Sequence, residues 1–86
     1  MIASTLVLLA PLSVAQAADA GFCRTYSQRA QNQVRIGLAA PRCRGGMEGT
    51  RWSADFRVHY DWCLTVSRVA ADTERSIRTG YLQGCR

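Results

Sequence analysis

The sequence predicts an all-α protein: an antiparallel two-helix hairpin stapled by two nested disulfides, Cys23–Cys85 and Cys43–Cys63. Apolar residues recur at three- and four-residue steps on both sides of a glycine-rich segment. No stretch shows the period-two alternation of a half-buried strand. Four cysteines, an even number, lie in a chain of only 86 residues that begins like an exported protein.

Residues 1–17, MIASTLVLLAPLSVAQA, carry no charged side chain and end in Ala15-Gln16-Ala17. A short apolar run followed by a small-x-small triplet predicts a secretory signal peptide. The basic residue that usually precedes the run is absent, so the Met1 amine supplies the charge or translation starts upstream. The run is shorter than the roughly 20 residues a membrane-spanning helix needs. Ala18-Asp19-Ala20 offers a second cleavage site, and residues 18–86 are the expected folded domain.

The first helix is expected over residues 20–40. Cys23, Tyr26, Ala30, Val34 and Gly37 or Leu38 fall on one face; Arg24, Gln28, Gln31, Asn32 and Arg35 fall on the other. Gly37 weakens its end, and Pro41 closes it by disfavouring helical geometry in the residue before it. RCRGGMEGTRW follows, with three glycines between 45 and 49, and predicts a loop. Ser53 is the expected N-cap of the second helix, with Asp55 in the first turn. Phe56, His59 or Tyr60, Cys63, Val66, Ala70, Thr73, Ile77 and Tyr81 then keep helical steps for about seven turns. Arg57, Asp61, Arg68, Asp72 and Arg75 mark the outer face, and Glu74–Arg78 is an i,i+4 pair worth a few tenths of a kcal/mol.

The pairing of the cysteines follows from those two rods. Each would be about 30 Å long at 1.5 Å per residue, so no bridge joins the two ends of one helix. With the rods antiparallel, Cys43 meets Cys63 at the turn and Cys23 meets Cys85 at the open end, within the 7 Å limit on Cα separation. Zinc is a poor alternative, because the cysteines are widely and almost evenly spaced and form no C-x2-C pairs. No C-x-x-C redox motif occurs. The expected core is thin: Phe22, Tyr26, Val34, Leu38, Phe56, Val66, Val69, Ile77 and Leu82, with parts of Trp52 and Trp62. Cores of this size supply roughly 3–5 kcal/mol, so the disulfides decide whether the chain folds.

RWSADFRVHYDWC, residues 51–63, concentrates both tryptophans and the only histidine. Trp52 is placed to pack on the first turn as a hydrophobic staple, and Trp62 to cover a disulfide, being the more buried of the two. The same stretch supplies a candidate binding patch of Arg51, Trp52, Arg57, His59, Tyr60 and Trp62, whose rings stack on sugars or cations while arginines hold anions. Asp55 and His59 share a helical face, but no nucleophile accompanies them, no second histidine completes a metal site, and no carboxylate pair is arranged for acid–base work. RGGMEG lacks the Lys-Ser/Thr ending of a phosphate loop. All eleven basic residues are arginine and the net charge is +5, which favours anionic surfaces without naming a partner.

The order C-x2-Y-x3-A, a middle cysteine, a glycine loop, G-x-R-W-S, H-x2-W-C, E-x3-R and a final cysteine resembles a set of small exported bacterial proteins and terminal modules. Here these are Cys23, Tyr26, Ala30, Cys43, Gly49, Arg51, Trp52, Ser53, His59, Trp62, Cys63, Glu74, Arg78 and Cys85. The resemblance implies export and a disulfide framework, and carries over no activity. In architecture alone the chain is similar to coiled-coil-helix proteins, whose C-x9-C it lacks.

Together these features predict a periplasmic or secreted, non-catalytic binding or scaffolding module. It is expected to be monomeric, without cofactor or metal, and to have an anionic or carbohydrate envelope partner rather than nucleic acid. The competing expectation is a cationic secreted effector, membrane-active or inhibitory, which leakage from anionic vesicles would reveal.

Overall fold

The computed structural model describes residues 17–86, and the signal peptide expected over 1–17 lies outside them except for its last residue. The all-α class stands: helices α1 (Ala20–Leu38), α2 (Pro41–Arg44), α3 (Phe56–Cys63) and α4 (Arg68–Cys85) are joined by turns, with a 3-10 turn at Thr50–Trp52. The expected single second rod is two helices, and the fold is up-down-up around α1.

α1 begins where Asp19 accepts a hydrogen bond from the Phe22 amide at 2.8 Å. It buries Cys23, Tyr26, Ser27, Ala30, Val34 and Gly37, a stripe at helical spacing. Gly37 is a packing position: a Cβ there would sit 2.5 Å from the Met47 sulfur. Pro41 ends α1 as expected but also opens α2, occupying a first-turn position that needs no amide donor. The N-cap of α3 lies two residues beyond the expected Ser53. Asp55 is the N-cap, accepting from the Arg57 amide at 2.9 Å, while Ser53 Oγ accepts from the Asp55 amide at 3.0 Å.

The break between α3 and α4 spans Leu64–Ser67 without glycine or proline. Thr65 donates its hydroxyl to the Trp62 carbonyl, and Ser67 accepts from the Ala70 amide at 3.1 Å, capping α4. The Ala18 amide donates to the Val66 carbonyl at 2.9 Å, fastening the start of the domain to this turn. Two β-branched residues before a serine have weak helix preference and a ready alternative hydrogen-bonding pattern. α3 therefore runs antiparallel to α1, with Gln31 of α1 donating to the Ala54 carbonyl just before α3. α4 returns parallel to α1: Arg68 pairs with Asp19 at one end, and Gln33 donates to Thr79 Oγ1 near the other.

This reversal corrects the disulfide pairing. The bridges are Cys23–Cys63, with Cα atoms 5.6 Å apart, and Cys43–Cys85, at 5.1 Å. The nested pairing required one uninterrupted rod from Ser53 to Cys85; with the rod folded at Leu64, Cys63 comes to the start of α1 and Cys85 to its end. Peptide mapping after non-reducing proteolysis is expected to yield these two linked pairs, and a peptide joining Cys43 to Cys63 would contradict the fold.

Each bridge centres a small core. Ala18, Tyr26 and Ala71 surround Cys23–Cys63, with Phe22, Tyr60 and Val66 against them. Val34, Trp52 and Leu82 surround Cys43, with Met47, Tyr81 and Cys85 packed alongside. Four expected core residues lie outside both clusters: Phe56, which is half-buried, and Leu38, Ile77 and Val69, the last 75% exposed. The buried line of α4 is Ala71, Arg78 and Leu82, rotated by about one residue, or 100°, from the expected stripe.

Candidate binding cleft

A cleft of about 600 Å³ opens between the 3-10 turn, the inner face of α3 and the middle of α4, with Tyr26 of α1 at its floor. Gly49 makes one wall possible. Its φ of 89° belongs to the left-handed region, where a side chain would be strained, and it turns the chain into Thr50–Trp52. Trp52 then drops onto Tyr81, ring centroids 5.1 Å apart, and Tyr81 donates its hydroxyl to the Cys43 carbonyl at 2.6 Å. The opposite wall is Val58, His59 and Trp62, consecutive along one face of α3. Tyr26 touches both His59 and Trp62, with centroids 6.5 and 5.9 Å away.

Arg78 supplies the charge at the base. Its side chain is 1% exposed, an unusual place for an arginine in a domain this small. Its Nε donates to Gln33 Oε1 at 2.7 Å, its Nη1 reaches the Arg51 carbonyl at 3.5 Å, and Glu74 lies 3.8 Å away. The guanidinium carbon is 5.2 Å from the Tyr26 ring centroid, in cation–π contact. Glu74 is also gripped by Arg51, whose Nε and Nη2 both donate to its carboxylate. Arg78 Nη2 and Tyr26 Oη are enclosed beneath the cleft without a hydrogen bond of standard geometry. Burial pushes the Tyr26 phenol up, and the Arg78 side chain beside it, through hydrogen bonding first and charge second, offsets part of that.

His59 is buried and bonded through Nε2 to the Ser53 carbonyl at 2.7 Å. A carbonyl only accepts, so Nε2 carries the proton. Asp55, on the same helical face, makes no hydrogen bond to His59, because its carboxylate caps α3. Burial holds the imidazole below its ordinary value, with the Ser53 bond opposing. A depressed folded-state value means that the unfolded chain takes up the proton first, so stability is full above about pH 6.5 and falls as the pH drops below it. Thermal melts of the oxidised protein are expected to show this loss as the pH falls below about 6.5, and His59→Gln to flatten it. Asp19 is lowered chiefly by the Phe22 amide, then by Arg68; its window lies below its ordinary 3.8, clear of the histidine.

Four of the six patch residues come together here: Arg51, Trp52, His59 and Trp62. Arg57 points outward and pairs with Asp61 at 3.3 Å, while Tyr60 stacks on Phe56 and packs against the first core. The order of burial of the tryptophans is the reverse of that expected. Trp52 is 9% exposed and Trp62 38%, because the Cys43 bridge joins Cys85, beside Trp52, and leaves Trp62 at the mouth of the cleft. Glu74, Arg78 and Gln33 were missed as site residues. Glu74 and Arg78 had looked like a surface pair, and only the rotation of α4 turns them inward.

Among the described residues no cluster of histidine, cysteine or carboxylate side chains is suited to a metal, and no helix is long and apolar enough to cross a membrane. Comparison with protein-family models, curated proteins and solved structures finds no match to this chain.

Proposed function

We propose that the chain is an exported, non-catalytic binding module and that the cleft between Trp62 and Glu74 holds its ligand. The observation that carries this reading is the cleft itself, of about 600 Å³, whose wall leaves the large apolar side chains of Trp62 and Val58 exposed. Export is supported by the two disulfides, which persist in oxidising compartments. A mature start at Ala18 is favoured over one at Gly21, because the latter removes the Asp19 cap and the Ala18–Val66 bond.

The test compares the oxidised protein with Trp62→Ala as immobilised baits for the envelope fraction. The expected result is a component retained by the wild type and lost by the variant, with both proteins equally helical. Identical retention by the two would remove the cleft from the function.

A further inference from the structure

We propose that the end of the molecule closed by the Cys43–Cys85 bridge docks on an anionic lipid surface. Charge is unevenly shared along the chain. Arg51, Arg57, Arg68, Arg75 and Arg78 each pair with a carboxylate. Among the described residues Arg24, Arg29, Arg35, Arg42, Arg44 and Arg86 form no ion pair. From Ala20 to Met47 there are five arginines and no acidic side chain, and none follows Glu74. The bridge joins these two stretches. Its Cα atoms are 5.1 Å apart, so Arg42, Arg44 and Arg86, each next to a bridged cysteine, share one end of the molecule. Arg35, in the last turn of α1, stands at the same end. Glu48, the carboxylate nearest to Arg44 in sequence, lines the cleft instead. The ends of α1 and α4 there carry about half a negative charge each, which four arginines exceed.

Apolar side chains decide what kind of anion this end fits. Leu38 is 50% exposed, and Ala39 and Pro41 beside it are exposed as well. They form the corner between α1 and α2, with Arg35 one turn before and Arg42 directly after. At a bilayer surface, arginine heads meet phosphates while apolar groups between them enter the acyl boundary. A dissolved polysaccharide or a nucleic acid would neutralise the arginines and leave Leu38 in water. The contact is peripheral, since among the described residues no helix is long and apolar enough to cross a membrane. Each arginine near an anionic surface raises partition about fivefold, so four multiply to roughly 600-fold.

The test is co-sedimentation of the oxidised protein, beginning at Ala18, with vesicles of phosphatidylglycerol or of phosphatidylcholine at physiological ionic strength. Binding to phosphatidylglycerol and none to phosphatidylcholine is expected, with release by added salt. Arg42→Gln combined with Arg44→Gln should weaken binding by about 25-fold and leave the melting temperature within a few degrees. Arg24→Gln combined with Arg68→Gln removes the same charge at the opposite end, where Arg68 pairs with Asp19. Arg24 is about 16 Å from Arg35 along α1, roughly two Debye lengths, so this pair should weaken binding by less than about twofold. Leu38→Ser should weaken vesicle binding by about fivefold and leave the binding of heparin, a soluble polyanion, unchanged. That variant, at a half-exposed position, keeps the test open should the arginine pair fold poorly. Trp62→Ala should bind vesicles like the wild type, because the cleft takes no part. No binding to phosphatidylglycerol, equal binding to both lipids, an equal loss from the opposite-end pair, indifference to Leu38→Ser, or a loss on Trp62→Ala would each overturn the proposal.

Discussion

Reduction of the two disulfides is expected to unfold the protein at room temperature. Each bridge closes a large loop, with sequence separations of 40 and 42 residues. On the chain-entropy model each contributes about 4 kcal/mol. The apolar core of a chain this small nets roughly 3–5 kcal/mol, and here it is divided into two clusters with a cystine sulfur at the centre of each. Removing both bridges therefore takes away more than the core supplies. Far-UV circular dichroism should lose most of its helical signal on addition of dithiothreitol, and the cooperative thermal transition should disappear. Replacing Cys23 and Cys63 together by alanine should loosen α3, then held to α1 only by packing such as Trp62 and His59 on Tyr26, while the Cys43–Cys85 end keeps its order. A reduced protein melting within a few degrees of the oxidised one would contradict the account.

Trp52→Ala is expected to be the most damaging single aromatic substitution, costing about 3–5 kcal/mol, whereas Trp62→Ala should cost about 1 kcal/mol or less. The indole of Trp52 fills the space between Val34, Leu82 and Tyr81 beside the second bridge. Its removal leaves a void that the disulfide-tied ends of α1 and α4 are poorly able to collapse around. Trp62 loses mainly its contact with Tyr26 and its share of the cleft wall. Melting curves separate the two variants. Acrylamide gives a second measure in the intact protein: the emission of Trp52 should resist quenching and that of Trp62 should not. Equal quenching of both indoles would be inconsistent with this packing.

The helical class was legible because amphipathic spacing survives in both halves of the chain, from Tyr26 to Val34 and again from Phe56 to Cys63. The cysteine count likewise announced two cystines. What the pattern hid was a reversal without punctuation. Thr65-Val66-Ser67 breaks the second rod through side-chain bonds to the backbone, where a glycine or proline would have been visible. Because the rod was continued through that point, the pairing of cysteines, the facing of α4 and the order of burial of the tryptophans all changed together. The site was half legible. Aromatic and basic residues near Gly49 pointed to Arg51, Trp52, His59 and Trp62, since local composition carries that signal. Arg78 and Gln33 were hidden because an arginine at i+4 from a glutamate looks like a solvated pair until the helix is turned toward a neighbour. Val69 and Ile77 misled for the opposite reason: apolar character alone does not say which side of a helix finds a partner.

The interleaved order of the bridges, Cys23 to Cys63 and Cys43 to Cys85, has a consequence for survival among proteases. Had the bridges been nested, one cut between Cys23 and Cys43 and another between Cys63 and Cys85 would release the middle of the chain as a separate piece. In the observed arrangement the same two cuts leave three segments strung together, because the middle one carries a half-cystine from each bridge. No two backbone cleavages placed in different intervals between the cysteines divide the molecule. A nicked chain therefore remains one covalent body, with its broken ends held where refastening the helices requires no search through solution.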